Sequence, residues 1–184
     1  MKLYGSHYLT RYGSGIVTAS GQGVTGVELP DVSRPDTTCH AELYELESSE
    51  ISINAALMLQ RYFHGERIDF STIPVDLRTL PSFRQKVLNI IRTVAFGEIR
   101  SYGQVAELCG SPRAARAVGG ALAANPIPVI IPCHRVVASD GRLTGFSAPG
   151  GVNSKIVLLQ LEGIEFKGLQ VVINQLVIHR ISNR

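Results

Sequence analysis

At 184 residues, with 45% hydrophobic and 18% charged side chains, the chain can bury a substantial core, which excludes an intrinsically disordered protein. Residues 1–10 (MKLYGSHYLT) lack the apolar stretch of a secretory leader and no apolar run reaches the length of a membrane span, so a cytoplasmic or nucleoid location and no membrane partner are expected. A net charge of +3 permits nucleic-acid binding without requiring it, and three cysteines (Cys39, Cys109, Cys133) without CxxC spacing argue against a disulfide framework and against a zinc site built from local pairs.

The first thirty residues hold short β-branched segments punctuated by glycine, at Tyr4–Thr10, Gly15–Thr18 and Gly23–Leu29, and predict a small antiparallel sheet. Pro30 to Thr38 reads as a turn-rich connection and the neighbouring Cys39-His40 pair as loop or core. From Ser48 or Ser49, the spacing of Ile51, Ala55, Leu59, Tyr62 and Phe63 predicts an amphipathic helix stopped by Gly65. Asp69 to Leu80, with Pro74 and little periodicity, reads as a linker between two domains. Strands first and helices after predict a mixed α+β (α/β) chain divided as 1–80, 81–168 and a tail of unknown role, 169–184, able to form a strand.

Beyond the linker, Ser82 with Gln85 and Ser101 with Gln104 both have capping-box spacing. They predict one helix with Phe83, Val87, Leu88 and Ile91 on its apolar face and a short second helix over Tyr102–Leu108. Ser111 and Pro112 can start a third helix over 113–124, making a helix-turn-helix pair. That third helix (Arg113, Ala114, Ala115, Arg116, Ala117, Val118, Gly119, Gly120) combines two arginines with small residues. Two glycines in mid-helix cost about 1 kcal/mol each relative to alanine, so the small face serves either close packing on another helix or entry into a nucleic-acid groove.

The apolar run from Pro126 delivers Cys133 and His134 side by side after Pro132. A cysteine reacts as its thiolate and needs a nearby acceptor for its proton, for which His134 is the nearest candidate. In extended backbone the two side chains point apart, which favours a bridging water unless the chain turns there. A buried structural cysteine beside a surface histidine is the other reading. Downstream, Leu143 to Gly151 reads as a pocket-walling loop, and a last helix over Lys155–Glu162 carries a lysine in its first turn and a glutamate in its last, each against the helix dipole and on one face.

Pro132-Cys133-His134-Arg135-Val136-Val137 resembles the active-site motif of the O6-alkylguanine-DNA alkyltransferases, the methylated-DNA–protein-cysteine methyltransferase family. Ser101-Tyr102-Gly103-Gln104, Arg116-Ala117-Val118-Gly119-Gly120, Asn125-Pro126, Leu143-Thr144-Gly145-Phe146 and Lys155 through Glu162-Gly163 match in order and spacing, so the resemblance covers about residues 81–165. It departs from the common pattern at Arg84, Leu88 and Ala95, which are core or turn positions.

The resemblance implies a ribonuclease-H-like N-terminal domain joined to a winged helix-turn-helix domain acting on double-stranded DNA that contains O6-alkylguanine. Direct-reversal repair would proceed by stoichiometric, irreversible transfer of a methyl or small alkyl group to Cys133, by a monomer without cofactor or metal. It implies catalytic roles for Cys133, His134, Glu162, Asn125 and Tyr102, the last donating to the leaving guanine at N3. DNA contacts fall to Arg116, Ala115, Ala117, Gly119, Ser101 and Arg113, with Arg116 filling the space of a flipped base. Val136, Phe146, Ser147 and Lys155 would form the substrate pocket, Val136 through its carbonyl. A lesion-binding protein without a nucleophile, a major-groove transcription factor and a cysteine hydrolase are the competing classes.

Overall fold

Two-residue turns after Thr10 and Ser20 fold the glycine- and valine-rich N-terminus back on itself twice. In the computed structural model, which describes residues 1–34 and 46–172, β1 (Tyr4–Thr10), β2 (Gly13–Ser20) and β3 (Gly23–Glu28) form an antiparallel sheet in that order. The Cys39-His40 pair and most of the predicted tail lie outside the described residues.

Helix α1 (Glu50–Phe63) covers this sheet. Ser49 and Ser52 cap it reciprocally, and its buried face carries Ala55, Ala56, Leu59, Tyr62 and Phe63. Phe63 stacks on Tyr8 of β1 with ring centroids 6.2 Å apart, while Tyr62 faces the opposite way, toward the C-terminal half. Residues 69–80 pack closely: Val24 N–H donates to Pro74 O and Asp76 N–H to Val24 O, both at 2.8 Å, with Ile73 and Leu77 buried. The main core runs without interruption from the sheet through these residues to the C-terminal helices.

The two capping-box signals have different outcomes. Helix α2 (Ser82–Ile91) starts on Pro81, whose extended backbone (φ −56°, ψ 144°) makes Ser82 already helical, and Gln85 turns back to Leu80 O at 2.8 Å instead of forming the predicted box. Ser101 does form its box with Gln104 at the start of α3 (Tyr102–Leu108). The two-residue β4 (Arg100–Ser101) pairs parallel with β5 (Val136–Val137), which places the start of α3 beside the Cys-His segment.

Helix α4 spans Ala115–Ala123 and is shorter than predicted, because residues 111–114 form a turn closed by Ala114 N–H to Ser111 O at 2.8 Å. Helix α5 (Gly151–Leu161) starts earlier than predicted, which moves Lys155 from the first turn to the second and leaves Glu162 as the C-cap. Its N-cap, Gly150, is left-handed (φ 79°), and a Cβ there would lie 2.2 Å from Asp31 Oδ1 and Ser154 Oγ. Only glycine lets α5 dock on residues 31–33 of the N-terminal half. The strand predicted for the tail appears, within the described residues, as a hairpin of β6 (Phe166–Lys167) with β7 (Gln170–Val171). Among the described residues no helix is long and apolar enough to cross a membrane, and no group of three or more His, Cys, Asp or Glu could hold a metal.

Candidate active site

The chain does turn at the nucleophile. Cys133–Arg135 form a single 3-10 turn between Pro132 and β5, where an extended segment was expected. The run leading into it is tightly constrained: Val129 is fully buried at φ 71°, a conformation that a β-branched residue seldom adopts, and Ile131 N–H closes on Ile127 O at 2.9 Å. Asn125 locks the same segment with both ends of its amide. Its Oδ1 accepts from Ile127 N–H at 3.0 Å, and its Nδ2 donates to Ile131 O at 2.9 Å and to Cys133 Sγ at 3.2 Å. Burial pushes the Cys133 thiol up, while the Asn125 bond and the positive charge of Lys155 act in the opposite direction, toward the thiolate.

Behind the thiol lies a buried charge network. His134 is fully buried, and its Nε2 lies 2.7 Å from Glu162 Oε1. Arg135 Nε donates to Glu162 Oε2 at 2.8 Å and Arg135 Nη2 to Oε1 at 2.9 Å, a bidentate pair. Tyr62 OH adds a bond to Oε1 at 2.9 Å and Gly97 N–H one to Oε2 at 3.3 Å. Burial alone would raise the pKa of Glu162, but His134 and Arg135 outweigh it and hold the carboxyl well below the usual range. Burial pushes His134 down, so the imidazole is neutral beside an ionised carboxylate. A carboxylate can only accept, so Nε2 carries the imidazole proton and Nδ1 presents a lone pair. Among the described residues Nδ1 is the one buried side-chain nitrogen or oxygen without a hydrogen-bond partner.

In front of the thiol is a cleft of about 600 Å³ lined by Tyr102, Ala115, Arg116, Gly119, Cys133, Thr144, Phe146 and Ser147, among others. Ser147 Oγ donates to Ala123 O at 2.6 Å and ties the wall loop to α4. Thr144 Oγ1 donates to Tyr102 OH at 3.0 Å across the cleft mouth. Lys155 is buried, its pKa pushed down to about 8 by desolvation, and its Nζ donates to Val136 O at 2.7 Å and Thr144 O at 3.2 Å. It therefore clamps the wall loop to the strand that follows the nucleophile.

Of the residues singled out by sequence, Cys133, Tyr102, Arg116, Ala115, Gly119, Phe146 and Ser147 meet at the cleft, and Asn125, His134, Glu162 and Lys155 support it from behind. Val136 is buried and its carbonyl already accepts from Lys155, and Ser101 is buried with its Oγ committed to the α3 cap. Ala117 is exposed on α4, and Arg113 is exposed in the preceding turn. Sequence reasoning missed Arg135, Tyr62, Gly97 and Thr144. Arg135 was in plain view inside the motif, but its role depends on a carboxylate 27 residues away in the chain.

The glycines of α4 settle how its small face is used within the chain. A Cβ at Gly119 would meet only the Tyr102 ring, at 3.9 Å, and one at Gly120 would meet nothing within 4 Å, so packing inside the protein requires neither glycine. Gly119→Ala is expected to stabilise the fold by up to about 1 kcal/mol while weakening duplex binding, to be checked by urea unfolding alongside a DNA titration.

Comparison with known proteins agrees with this geometry. The family model described as the DNA-binding domain of 6-O-methylguanine DNA methyltransferase matches residues 82–164. The methylated-DNA–protein-cysteine methyltransferase of Haemophilus influenzae is 34% identical over 164 residues, covering 89% of this chain and 88% of its own. That of Mycobacterium tuberculosis is 48% identical over 104 residues, covering 56% of this chain and 61% of its own. Among solved structures, M. tuberculosis OGT in complex with DNA superimposes with a TM-score of 0.69 at 34% identity, over 87% of this chain and 93% of that one. The O6-methylguanine-DNA methyltransferase of Pyrococcus kodakaraensis shares the fold, with a TM-score of 0.62 at 21% identity over 88% of this chain and 99% of that one. A chain matched over nearly nine-tenths of its length, with a buried cysteine that has a histidine–glutamate pair behind it, belongs to the methylated-DNA–protein-cysteine methyltransferase family.

Proposed function

We propose that this chain repairs duplex DNA by taking a methyl or small alkyl group from O6 of guanine onto Cys133. The observation that carries this reading is the convergence of three features at one short turn: a thiol lining the cleft, an amide donor from Asn125 on its sulfur and a buried imidazole whose proton position is fixed from behind. Cys133 gives its proton to His134 Nδ1, directly or through a water, and attacks the alkyl carbon. Glu162 holds the imidazole in the required tautomer and balances the charge it acquires. Asn125 and the Lys155 cation stabilise the thiolate. The sulfur–carbon bond forms as the carbon–O6 bond breaks, and the electron pair leaves with the guanine. The product is a thioether that ordinary cellular thiols do not reverse, so each molecule acts once, without cofactor or metal.

Cys133 is buried, out of reach of a base still stacked in a duplex, so the lesion must leave the helix. Tyr102 donates to the flipped guanine at N3, Phe146 walls the ring, and Val136 O accepts from the exocyclic amine. Arg116, exposed at the cleft edge, occupies the vacated stack, while Ala115, Ala117 and Gly119 keep α4 slim enough for the minor groove and Arg113 meets the backbone. On this reading residues 1–80 are a ribonuclease-H-like domain, 81–168 a winged helix-turn-helix domain, and 169–184 a tail. The protein works as a monomer in the cytoplasm or on the nucleoid.

Titrating the protein with a duplex carrying O6-methylguanine tests the reading: lesion loss should stop at one equivalent. Continued turnover would make it a different enzyme, and binding without lesion loss would make it a sensor. Arg116→Ala should slow repair of the duplex far more than transfer from the free alkylated base. Equal effects on both would remove Arg116 from base extrusion.

A further inference from the structure

We propose that Thr144 is a positioning residue for the leaving group, its hydroxyl aiming the Tyr102 phenolic proton into the cleft; this rests on the proposed role of Tyr102 at guanine N3. Thr144 Oγ1 donates to the Tyr102 oxygen at 3.0 Å. A phenolic hydrogen stays near the ring plane, where it has two orientations. A donor on one side of the oxygen occupies the acceptor position there and leaves the tyrosine's own hydrogen the other. Tyr102 and Cys133 line the same cleft, and on this proposal the orientation left open is the one turned to the reacting base.

The threonine is held for this task from two directions. Its backbone carbonyl accepts from Lys155 Nζ at 3.2 Å, and the same Nζ bonds Val136 O at 2.7 Å, next to the catalytic turn. The branched Cβ limits its χ1 choices, so a backbone fixed by a buried cation also fixes the hydroxyl. Ser147, two residues beyond Gly145, pins the other side of the loop to Ala123 O. The Thr144 bond also lowers the phenol's pKa, opposing the rise caused by burial, and a more acidic phenol is a stronger donor.

The chemical consequence falls on the leaving group alone. As the carbon–O6 bond breaks, the electron pair spreads from O6 over the purine to N1 and N3, and a hydrogen bond at N3 stabilises that charge in the transition state more than in the ground state. The guanine anion then recovers one proton from solvent, and the imidazolium of His134 releases the one taken from the thiol. Tyr102 keeps its proton throughout.

The test compares single-turnover transfer at saturating protein from two duplexes, one with O6-methylguanine and one with its 3-deaza analogue, in which N3 is a C–H. In the wild type the 3-deaza duplex should react more slowly, and Tyr102→Phe should remove that difference. Thr144→Val, which keeps the shape and loses the hydroxyl, should slow the normal duplex about tenfold, the effect of weakening one oriented hydrogen bond in the transition state, and leave the 3-deaza rate unchanged. Its duplex affinity should stay within about twofold, and Thr144→Ser should restore both the rate and the 3-deaza difference. If Thr144→Val slows both duplexes equally, or neither, the threonine only walls the cleft and the proposal fails while the N3 role of Tyr102 stands. If the wild type does not distinguish the two duplexes, the N3 donor itself is wrong and the proposal falls with it.

Discussion

Glu162→Gln is expected to lower stability by about 3–5 kcal/mol and to slow alkyl transfer by about 10²–10⁴-fold. The stability loss follows from Arg135, which is 5% exposed and has its guanidinium bonded to both carboxylate oxygens of Glu162. An amide cannot neutralise it, and one of the two bonds it donates must be lost because an amide offers a single oxygen. The rate loss follows from His134: an amide NH2 facing Nε2 would favour the tautomer with its proton on Nδ1, the atom that has to accept from Cys133. Duplex binding should persist. Because the variant sacrifices much of the fold's stability, Tyr62→Phe is a milder companion that removes one donor to Oε1 and keeps the charge pair, at about 1 kcal/mol.

The same network sets the acid sensitivity of the fold. His134 is held neutral, below its ordinary 6.5, and Glu162 ionised, below its ordinary 4.5. In both cases the unfolded chain binds the proton at a higher pH than the folded one, so stability is complete above these values and is lost as pH falls. Urea midpoints should begin to drop just below pH 6.5 and fall more steeply below 4.5, and in Glu162→Gln the steeper part should flatten.

Cys133→Ala should abolish transfer entirely and leave lesion binding intact. The thiol lines the cleft and accepts from Asn125 Nδ2, which keeps its second acceptor in Ile131 O, and from the backbone N–H groups of the turn. Alanine there removes one acceptor from the turn and leaves a small gap that opens onto the cleft, so the fold should lose about 1–2 kcal/mol. Duplex affinity with undiminished strength but no lesion loss is the expected outcome. Residual transfer would mean that another group accepts the alkyl, and among the described residues the other free cysteine, Cys109, is buried with its thiol pushed up by desolvation.

The strands and helices were legible where local signals decide them. Glycine-punctuated β-branched segments gave the sheet, and Ser101 with Gln104 gave α3. Where a neighbour overrides the signal, the reading slipped: Pro81 took the cap from Ser82, and Gly150 began α5 before Lys155 because residues 31–33 dock there. The site divides in the same way. Cys133, His134, Asn125 and Arg116 stand in a short motif-rich stretch, and Lys155 and Glu162, singled out by their charges, do have buried partners although the earlier start of α5 takes Lys155 out of the first turn. What they point at depends on Tyr62, 100 residues from Glu162, and on carbonyls of Val136 and Thr144 that no side-chain pattern encodes. The left-handed backbone of Val129 was equally unreadable, since a β-branched residue predicts the opposite conformation.

The most direct test of the account is intact and peptide mass spectrometry after mixing the protein with an equimolar duplex containing O6-methylguanine. The account predicts one added methyl group, located on the peptide that contains Cys133, with unmodified guanine left in the DNA. A protein that binds the duplex but keeps its original mass, or a methyl group found on any other residue, would contradict it.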